Sequence, residues 1–182
     1  MPTYVAFLRA INLGARRTFP KADVQRVVEA TGATDVAVHL NTGNVRLKSR
    51  QRSTFAVATT LERAFLADRG FEVPTIVLTP AELVQVAADA ADVAEAAPFA
   101  VGAQYVSLLA EEPSAEVAAA LAEQEAKGES ATLRGRAVHL LVDERDNYHT
   151  AKLPSRIERR LGVSTNRNLT VVSELARRWG AG

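Results

Sequence analysis

The order of hydrophobic periodicities along residues 3–78 constrains the fold of this chain more than any other feature of its sequence. Residues 3–10 are apolar at both odd and even positions, as expected of a strand that is covered on both faces. Later segments switch between helical spacing and strict alternation, and glycines mark where helices end. The predicted elements are a strand at 3–10, a helix from Pro20 to Gly32, strands at 36–40 and 45–48 around the turn Asn41–Asn44, a helix from Phe55 to Gly70, and a strand at 71–78.

This β-α-β-β-α-β order is that of the ferredoxin-like split β-α-β fold, and the second half of the chain repeats it more loosely. The repeat is predicted from element order alone, because the two halves share almost no residue identity. We therefore predict an α+β protein of two duplicated ferredoxin-like lobes, with antiparallel or mixed sheets and helices on one face. The predicted organisation is a lobe at 1–79, a helical connector and linker at 80–102, and a lobe at 103–182 that carries an extra terminal helix.

Within the second lobe the individual elements are less regular in sequence. The predicted connector helix covers residues 80–91, and the predicted linker covers 92–102. The further predicted elements are a strand at 103–110, a helix at 114–127 capped by Ser114, a hairpin of 131–133 and 137–142, a helix at 152–161, an extended piece at 165–168, and a helix at 170–179.

The absence of cysteine excludes disulfides, thiolate zinc sites, iron–sulfur clusters and a cysteine nucleophile. The chain opens directly on a strand-like run, without a basic region and cleavage site, and contains no apolar stretch approaching about 18 residues. We therefore expect a cytoplasmic protein with no membrane partner and no cofactor. The sequence leaves a monomer and a homodimer equally open.

The small net charge of +1 hides a strong segregation along the chain. Residues 1–52 carry a net charge of +6 and residues 130–182 carry +5, whereas residues 80–129 carry −9. Such segregation is typical of an anion-binding surface, although an acidic pair of solvated helices would account for the middle segment. The basic ends of the chain favour phosphorylated or nucleic-acid ligands.

A basic polar site is predicted where two loops of the first lobe meet. In a split β-α-β unit the first two strands run the same way, so the loop at 11–19 and the turn at 41–44 lie at one end, beside the N-terminus of the first helix. A helix N-terminus offers free N–H groups and partial positive charge to a phosphate or carboxylate. The alternative is that these residues only hold their own turns. The candidate ligand-binding residues here are Arg9, Asn12, Gly14, Arg16, Arg17, Lys21, Asn41, Thr42, Gly43 and Asn44.

Several other candidate sites are weaker. The segment 143–149 has three carboxylates and one histidine, but Arg145 interrupts it and a surface turn is the simpler interpretation. His39 and His139 lie in predicted strands and are interpreted as satisfied strand residues. The predicted helix 152–161 carries basic residues that suit either a phosphate ligand or the partial negative charge of the helix C-terminus: Lys152, Arg156, Arg159 and Arg160.

Four separated motifs together resemble the family catalogued as domain of unknown function 1697. They are Tyr4 through Gly14, Thr42 through Val45, Ala151-Lys152-Leu153, and Thr165 through Asn168. The resemblance adds Lys152, Arg167 and Asn168 to the candidate ligand-binding residues. This chain departs from the family at Ala10, where glycine is usual, at Asn41-Thr42, where Gln-Ser is common, and at Leu169, where Trp is frequent. The resemblance implies a compact duplicated α+β protein and assigns no reaction.

Three functions fit these observations. The favoured hypothesis is a module that binds a phosphorylated small molecule or nucleic acid at the basic N-terminal loop. Sequence-specific RNA reading on the sheet is disfavoured, because the strand at 45–48 offers no stacking aromatic and Tyr4 and Phe7 point to opposite faces. The alternatives are an enzyme with a cleft between the lobes and no covalent nucleophile, and a protein-interaction or oligomerisation module. No motif names a catalytic residue.

Overall fold

The computed structural model describes residues 1–14, 17–124, 126–143 and 151–181, which form two four-stranded antiparallel sheets and six helices. The mixed α+β fold expected from the sequence is therefore observed. In chain order the elements are β1 Thr3–Leu8, α1 Lys21–Ala30, β2 Thr34–His39, β3 Asn44–Lys48, α2 Thr54–Arg69, β4 Thr75–Leu78, α3 Pro80–Glu95, β5 Ala103–Leu109, α4 Ala115–Ala122, β6 Glu129–Arg134, β7 Ala137–Val142, α5 Leu153–Glu158, β8 Ser164–Asn168 and α6 Leu169–Trp179.

The chain divides into two compact units. The first consists of Met1–Leu83 with Trp179–Gly182, and the second of Val84–Arg178. The connector helix predicted at 80–91 is α3, which extends to Glu95 and so takes up the start of the predicted linker. The lobe boundaries at 79 and 103 stay predictions. Within the described residues, none of the helices combines the length and apolar character needed to cross a bilayer.

In the first unit the strands lie in the order β2-β3-β1-β4, and β1 is antiparallel to both of its neighbours. Because β3 lies between β1 and β2 and runs against both, those two strands run the same way and their following loops reach the same end of the sheet. The strand predicted at 3–10 ends at Leu8, and Ala10 has a positive φ of 56°, far from the φ of about −140° of a regular antiparallel strand.

One face of this first sheet packs on α1 and α2. Val24, Val27 and Val28 of α1 are buried against it, as their helical spacing predicted. On α2 the buried residues are Val57, Leu61 and Phe65, whereas Phe55 is 73% exposed and Leu66 is 46% exposed. This helix was predicted from the spacing of Phe55, Leu61, Ala64, Phe65 and Leu66, and the inclusion of Phe55 and Leu66 in its apolar face is wrong. Phe55 precedes Val57 by two residues, about 200° around the helix, and therefore points away from the sheet.

In the second unit the strands lie in the order β6-β7-β5-β8, which repeats the arrangement of the first sheet. The predicted hairpin is observed with a longer first strand, β6, which begins at Glu129. The helices predicted at 114–127 and 152–161 are both shorter than expected and form α4 and α5. Ser114 caps α4 as predicted, since its Oγ accepts a hydrogen bond from the N–H of Val117 at 3.3 Å.

Helix α4 and helix α5 pack on one face of this second sheet. Leu121 and Ile157 contribute to a core with Leu109, Val138 and Leu140. The terminal helix α6 buries Val172 and Leu175, as its spacing predicted.

Candidate functional site

The β1–α1 loop and the β2–β3 turn are joined directly by the side chain of Asn12. Its Nδ2 donates to the carbonyl oxygen of Asn41 at 2.6 Å and to that of Phe19 at 3.2 Å. Its Oδ1 accepts a hydrogen bond from the N–H of Phe19 at 2.8 Å. We call the described residues of 9–21 and 40–44 the loop junction. The structure brings the two predicted loops together, and Asn12 is the residue that holds them.

Gly43 brings the turn into contact with the end of β1. Its carbonyl oxygen accepts a hydrogen bond from the N–H of Leu8 at 2.8 Å. Its φ is +75°, and a side-chain carbon at this position would lie 2.7 Å from Cβ of Leu8 and 2.8 Å from Cδ1 of Ile11. Gly43 is therefore required by the close approach of two backbones and not only by the turn.

Backbone conformations that are unfavourable for L-residues concentrate at this junction. Four non-glycine residues among those described have a positive φ, and three of them, Ala10, Asn12 and Leu40, lie in the loop junction. The fourth is Asp35 in β2. Each such residue costs roughly 1–2 kcal/mol, so the junction stores backbone strain that the surrounding contacts must offset.

Replacing Ala10 with glycine is expected to raise the free energy of unfolding by about 0.5 kcal/mol. The change relieves a left-handed conformation worth about 1–2 kcal/mol and adds unfolded-state entropy worth about 0.4–1 kcal/mol. Urea unfolding followed by fluorescence of Trp179 measures the effect, because this single tryptophan belongs to the first unit. The control, Ala67→Gly in α2, is expected to destabilise by about 1 kcal/mol. Destabilisation of the Ala10→Gly protein to the same extent would contradict the assignment.

The side chain of Arg17 holds the β1–α1 loop in place through hydrogen bonds to backbone carbonyl groups. Its Nε donates to the carbonyl oxygen of Ala10 at 2.6 Å, and its Nη2 donates to that of Glu72 at 2.5 Å. The guanidinium also lies 4.8 Å from the ring centroid of Phe71. Arg17 therefore ties the β1–α1 loop to the segment before β4, and removing it would disturb the loop as well as its charge.

The N-terminus of α1 faces this junction without a side-chain cap. The N-cap residue is Pro20, whose side chain has no acceptor and makes no capping hydrogen bond. Lys21, the first helical residue, is exposed. Other helices are capped by side chains, since Ser53 Oγ accepts from Ala56 N–H in α2 and Asn168 Oδ1 accepts from Thr170 N–H in α6. The first turn of α1 therefore relies on partners other than its own N-cap side chain.

The remaining predicted residues of the first unit have mixed roles. Asn44 is fully buried and its Nδ2 donates to the carbonyl of His39 at 3.0 Å and to Oγ1 of Thr42 at 3.1 Å, so it shapes the turn. Arg9 is half-buried, and its N–H donates to Pro74 at 2.8 Å. Three further candidates are exposed at the surface of the junction: Gly14, Asn41 and Thr42. Arg16 lies outside the described residues.

Two exposed apolar side chains at the junction were not predicted. Leu13 at the tip of the β1–α1 loop is 65% exposed, and Leu40 in the turn is 45% exposed. Leu40 was interpreted as an alternating strand residue, but β2 ends at His39 and the φ of Leu40 is 60°. The position of Leu40 directly before the Asn-Thr-Gly turn was the only sequence signal that it lies in the turn and not in the strand.

The candidates in the second unit each have a local structural role. Lys152 is exposed, and its N–H donates to the carboxylate of Glu129 at 2.9 Å. Asn168 caps α6 and lines a cavity of about 620 Å³. Arg167 donates to Oγ1 of Thr165 and to the carbonyl of Asn166, both at 2.8 Å. Burial lowers the pKa of Arg167 to about 10, so the side chain stays charged at neutral pH.

The two strand histidines have different surroundings. His39 packs edge-on against the ring of Trp179, with centroids 6.2 Å apart. His139 is fully buried, and its Nδ1 lies 3.4 Å from Nε2 of Gln104 while its Nε2 has no hydrogen-bond partner. Burial lowers the pKa of His139, which keeps it neutral. The prediction of a satisfied strand residue therefore holds for only one nitrogen of His139.

No group of three or more potential metal ligands occurs among the described residues. The segment 143–149, which was considered as a metal loop, is described only at Asp143. Its other residues lie outside the described part of the chain.

Comparisons with known proteins agree with the fold. A family model described as "Protein of unknown function (DUF1697)" matches residues 1–139. The solved structure of a conserved bacterial protein from Streptococcus pneumoniae is similar to this chain, with a TM-score of 0.77 and 17% sequence identity over 98% of each chain. At that identity the likeness concerns the fold alone. No curated protein matches the sequence.

Proposed function

We propose that this chain, which belongs to the DUF1697 family of proteins of unknown function, binds a phosphorylated small molecule at the loop junction. The observation that carries the proposal is the N-terminus of α1, where Pro20 supplies no side-chain cap and Lys21 is exposed. The first-turn N–H groups of a helix and its dipole favour an anion, and a phosphate there adds charge-assisted hydrogen bonds.

The rigidity of the surrounding loop supports this location. Asn12 and Arg17 hold the β1–α1 loop through hydrogen bonds to backbone carbonyl groups on both sides of it. Strain at Ala10, Asn12 and Leu40 is maintained by those contacts. Strained backbone held in place by its surroundings is typical of sites that must be preorganised for a ligand.

The exposed leucines favour a small organic phosphate over inorganic phosphate alone. Leu13 and Leu40 present apolar surface within the same loop junction as Lys21. A ligand with a phosphate group and an apolar body would cover these side chains and gain about 25 cal/mol for each Å² removed from water.

Recognition of RNA bases on the first sheet is not supported. The aromatic residues of β1 are Tyr4 and Phe7, which are 3% and 0% exposed. Base stacking on a sheet requires exposed aromatic side chains. The loop junction is therefore the stronger candidate within this unit.

Removing the charge of Lys21 is expected to weaken phosphate binding about fivefold. The probe is phenyl phosphate, titrated calorimetrically against the wild-type protein and Lys21→Ala, and the expected loss corresponds to one charge near a helix N-terminus, about 1 kcal/mol. Phenyl phosphate should also bind more tightly than inorganic phosphate.

The control variant is Arg63→Ala, which removes one exposed positive charge from α2 in the same unit. It should leave the affinity for phenyl phosphate unchanged. If Lys21→Ala and Arg63→Ala weaken binding equally, the effect comes from net charge and the assignment to the loop junction is wrong. Absence of phenyl phosphate binding to the wild-type protein would also overturn it.

We also propose that the two units are ferredoxin-like copies that arose by duplication. Support comes from the equal strand orders β2-β3-β1-β4 and β6-β7-β5-β8 and from the repeated β-α-β-β-α-β sequence of elements. Each sheet also packs two helices on one face. A lobe at 1–79 and a lobe at 103–182 remain the proposed boundaries.

A further inference from the structure

The structure sorts the basic residues of the N-terminal segment into those with partners and those without. Arg26 pairs with Asp68 at 2.9 Å, and the hydrogen bond from Arg26 holds the pKa of Asp68 below its ordinary value. Arg46 and Lys48 share one carboxylate, that of Asp35, at 2.6 and 3.5 Å. These contacts therefore balance only part of the excess positive charge of residues 1–52.

Arg50 and Arg52 account for two of these unbalanced charges. Both are exposed, and no ion pair or hydrogen bond involves either side chain among the described residues. They continue a pattern begun in β3, in which every second residue is basic. We call these four residues, Arg46, Lys48, Arg50 and Arg52, the basic stripe. Within the described part of the chain, Asp35 is the only carboxylate paired with its members, so the stripe carries a net positive charge.

Arg46 and Lys48 lie on one side of β3 because side chains alternate along a strand. Val45, which precedes Arg46, and Leu47, which lies between Arg46 and Lys48, are buried in the core with α1 and α2. Arg46 and Lys48 therefore lie on the face of the sheet opposite α1 and α2, whereas Arg50 and Arg52 follow β3 in the segment that leads to α2.

The segment that carries Arg50 and Arg52 is fixed by backbone hydrogen bonds. The N–H of Ser49 donates to the carbonyl oxygen of Pro2 at 3.1 Å. The hydroxyl of Tyr4 donates to the carbonyl oxygen of Gln51 at 3.0 Å. The two arginines therefore extend from an ordered backbone, which lowers the entropy lost when they bind a ligand.

An exposed aromatic side chain lies directly beyond this segment. Phe55 is 73% exposed in the first turn of α2, three residues after Arg52. Ser53 caps the helix between them, with its Oγ accepting from the N–H of Ala56 at 3.1 Å. The helix start therefore fixes the direction of Phe55 away from the core.

We propose that single-stranded nucleic acid binds at the end of the basic stripe that follows β3, with phosphates on Arg50 and Arg52 and a base stacked on Phe55. Proteins that bind single strands combine a positively charged track with aromatic side chains on which bases stack. An acidic peptide would satisfy the arginines but would not use an exposed phenylalanine in this way. The stripe leads away from the loop junction, since β3 has Asn44 at one end and Lys48 at the other.

The test is fluorescence anisotropy with a labelled oligothymidine of 12 nucleotides at several salt concentrations. The double variant Arg50→Ala/Arg52→Ala should bind at least about tenfold more weakly at 50 mM salt, and the slope of log K against log salt should fall by about 1.4, or 0.7 for each lost phosphate contact. Phe55→Ala should weaken binding about tenfold with an unchanged salt slope, because it removes stacking and no charge.

Two controls separate this proposal from the proposed function and from net charge. Lys21→Ala should leave oligothymidine affinity unchanged, whereas Arg50→Ala/Arg52→Ala should leave phenyl phosphate affinity unchanged. The double variant Arg63→Ala/Arg159→Ala removes two exposed charges outside the stripe and should reduce oligothymidine affinity much less. Circular dichroism melting of each variant verifies that it folds.

Several results would overturn the proposal. These are no binding of oligothymidine to the wild-type protein, equal losses in the two double variants, or full affinity in a folded Phe55→Ala protein. Equal binding of polyphosphate and oligothymidine, with no effect of Phe55→Ala on either, would mean that the stripe attracts polyanions without recognising bases.

Discussion

Replacing Gly43 with alanine is expected to lower the free energy of unfolding of the first unit by about 3 kcal/mol. A Cβ at this position would lie 2.7 Å from Cβ of Leu8, which is fixed in the middle of the core and cannot rotate away. Overpacking of this kind costs about 1–3 kcal/mol, and the left-handed φ of +75° adds about 1–2 kcal/mol. Urea unfolding followed by fluorescence of Trp179 gives the value.

Gly14→Ala is the matched control for this variant. Gly14 has a similar φ of +67°, but a Cβ there would have no heavy atom within 4 Å. The control should therefore lose only the conformational cost, about 1 kcal/mol. If the two variants are equally unstable, the contact of the turn with β1 contributes nothing beyond the backbone conformation of glycine.

Asn12→Ala is expected to lower the free energy of unfolding by about 2–3 kcal/mol. Alanine cannot replace the hydrogen bonds to Phe19 and Asn41, so the N–H of the buried Phe19 loses its acceptor. An unsatisfied buried group costs about 1–3 kcal/mol, and asparagine also tolerates the φ of 56° better than alanine does. The same fluorescence measurement applies, and the affinity for phenyl phosphate should fall as well, because the two loops are no longer joined.

Two further variants separate the causes of that loss. Asn12→Gly removes the hydrogen bonds but tolerates the positive φ, so it should be about 0.5 kcal/mol more stable than Asn12→Ala once the unfolded-state entropy of glycine is subtracted. Asn41→Ala should cost less than about 0.5 kcal/mol, because Asn12 uses only the backbone carbonyl of Asn41. Wild-type stability in the Asn12→Ala protein would show that the junction is held by other contacts.

The first unit could be predicted well from sequence because its signals are local. Gly70 ends α2 in a left-handed conformation with φ of 73°, as a glycine after a helix predicts. The strand predicted at 71–78 was expected at a sheet edge because it contained Pro74; the observed strand, β4, does lie at the edge but begins only at Thr75, after the proline. Errors arose where apolar residues were assigned to a helix face without following its phase, as for Phe55.

The candidate site was only partly predictable. The meeting of the two loops follows from strand order, and the sequence therefore located the junction correctly. Which residues hold the junction together depends on individual hydrogen bonds, and spacing cannot distinguish Asn12, which bonds the neighbouring turn, from Asn41, which contributes only its backbone. Nor can it show that Arg17 is engaged with carbonyl groups while Lys21 is exposed. The only sequence signal of the strain at Ala10 is that the family usually has glycine at this position.

In the second half of the chain, the carboxylate of Glu129 occupies a helix N-terminus, whereas the N-terminus of α1 has no side-chain cap. It accepts hydrogen bonds from the N–H groups of Lys152 and Leu153, at the start of α5. The protein thus supplies its own anion there, and any external phosphate would first have to displace a tethered internal competitor. The basic residues of that half can attract a ligand without offering it this helix end. Glu129 therefore fills the start of α5 with a charge of the chain's own, whatever positive charge the neighbouring residues carry.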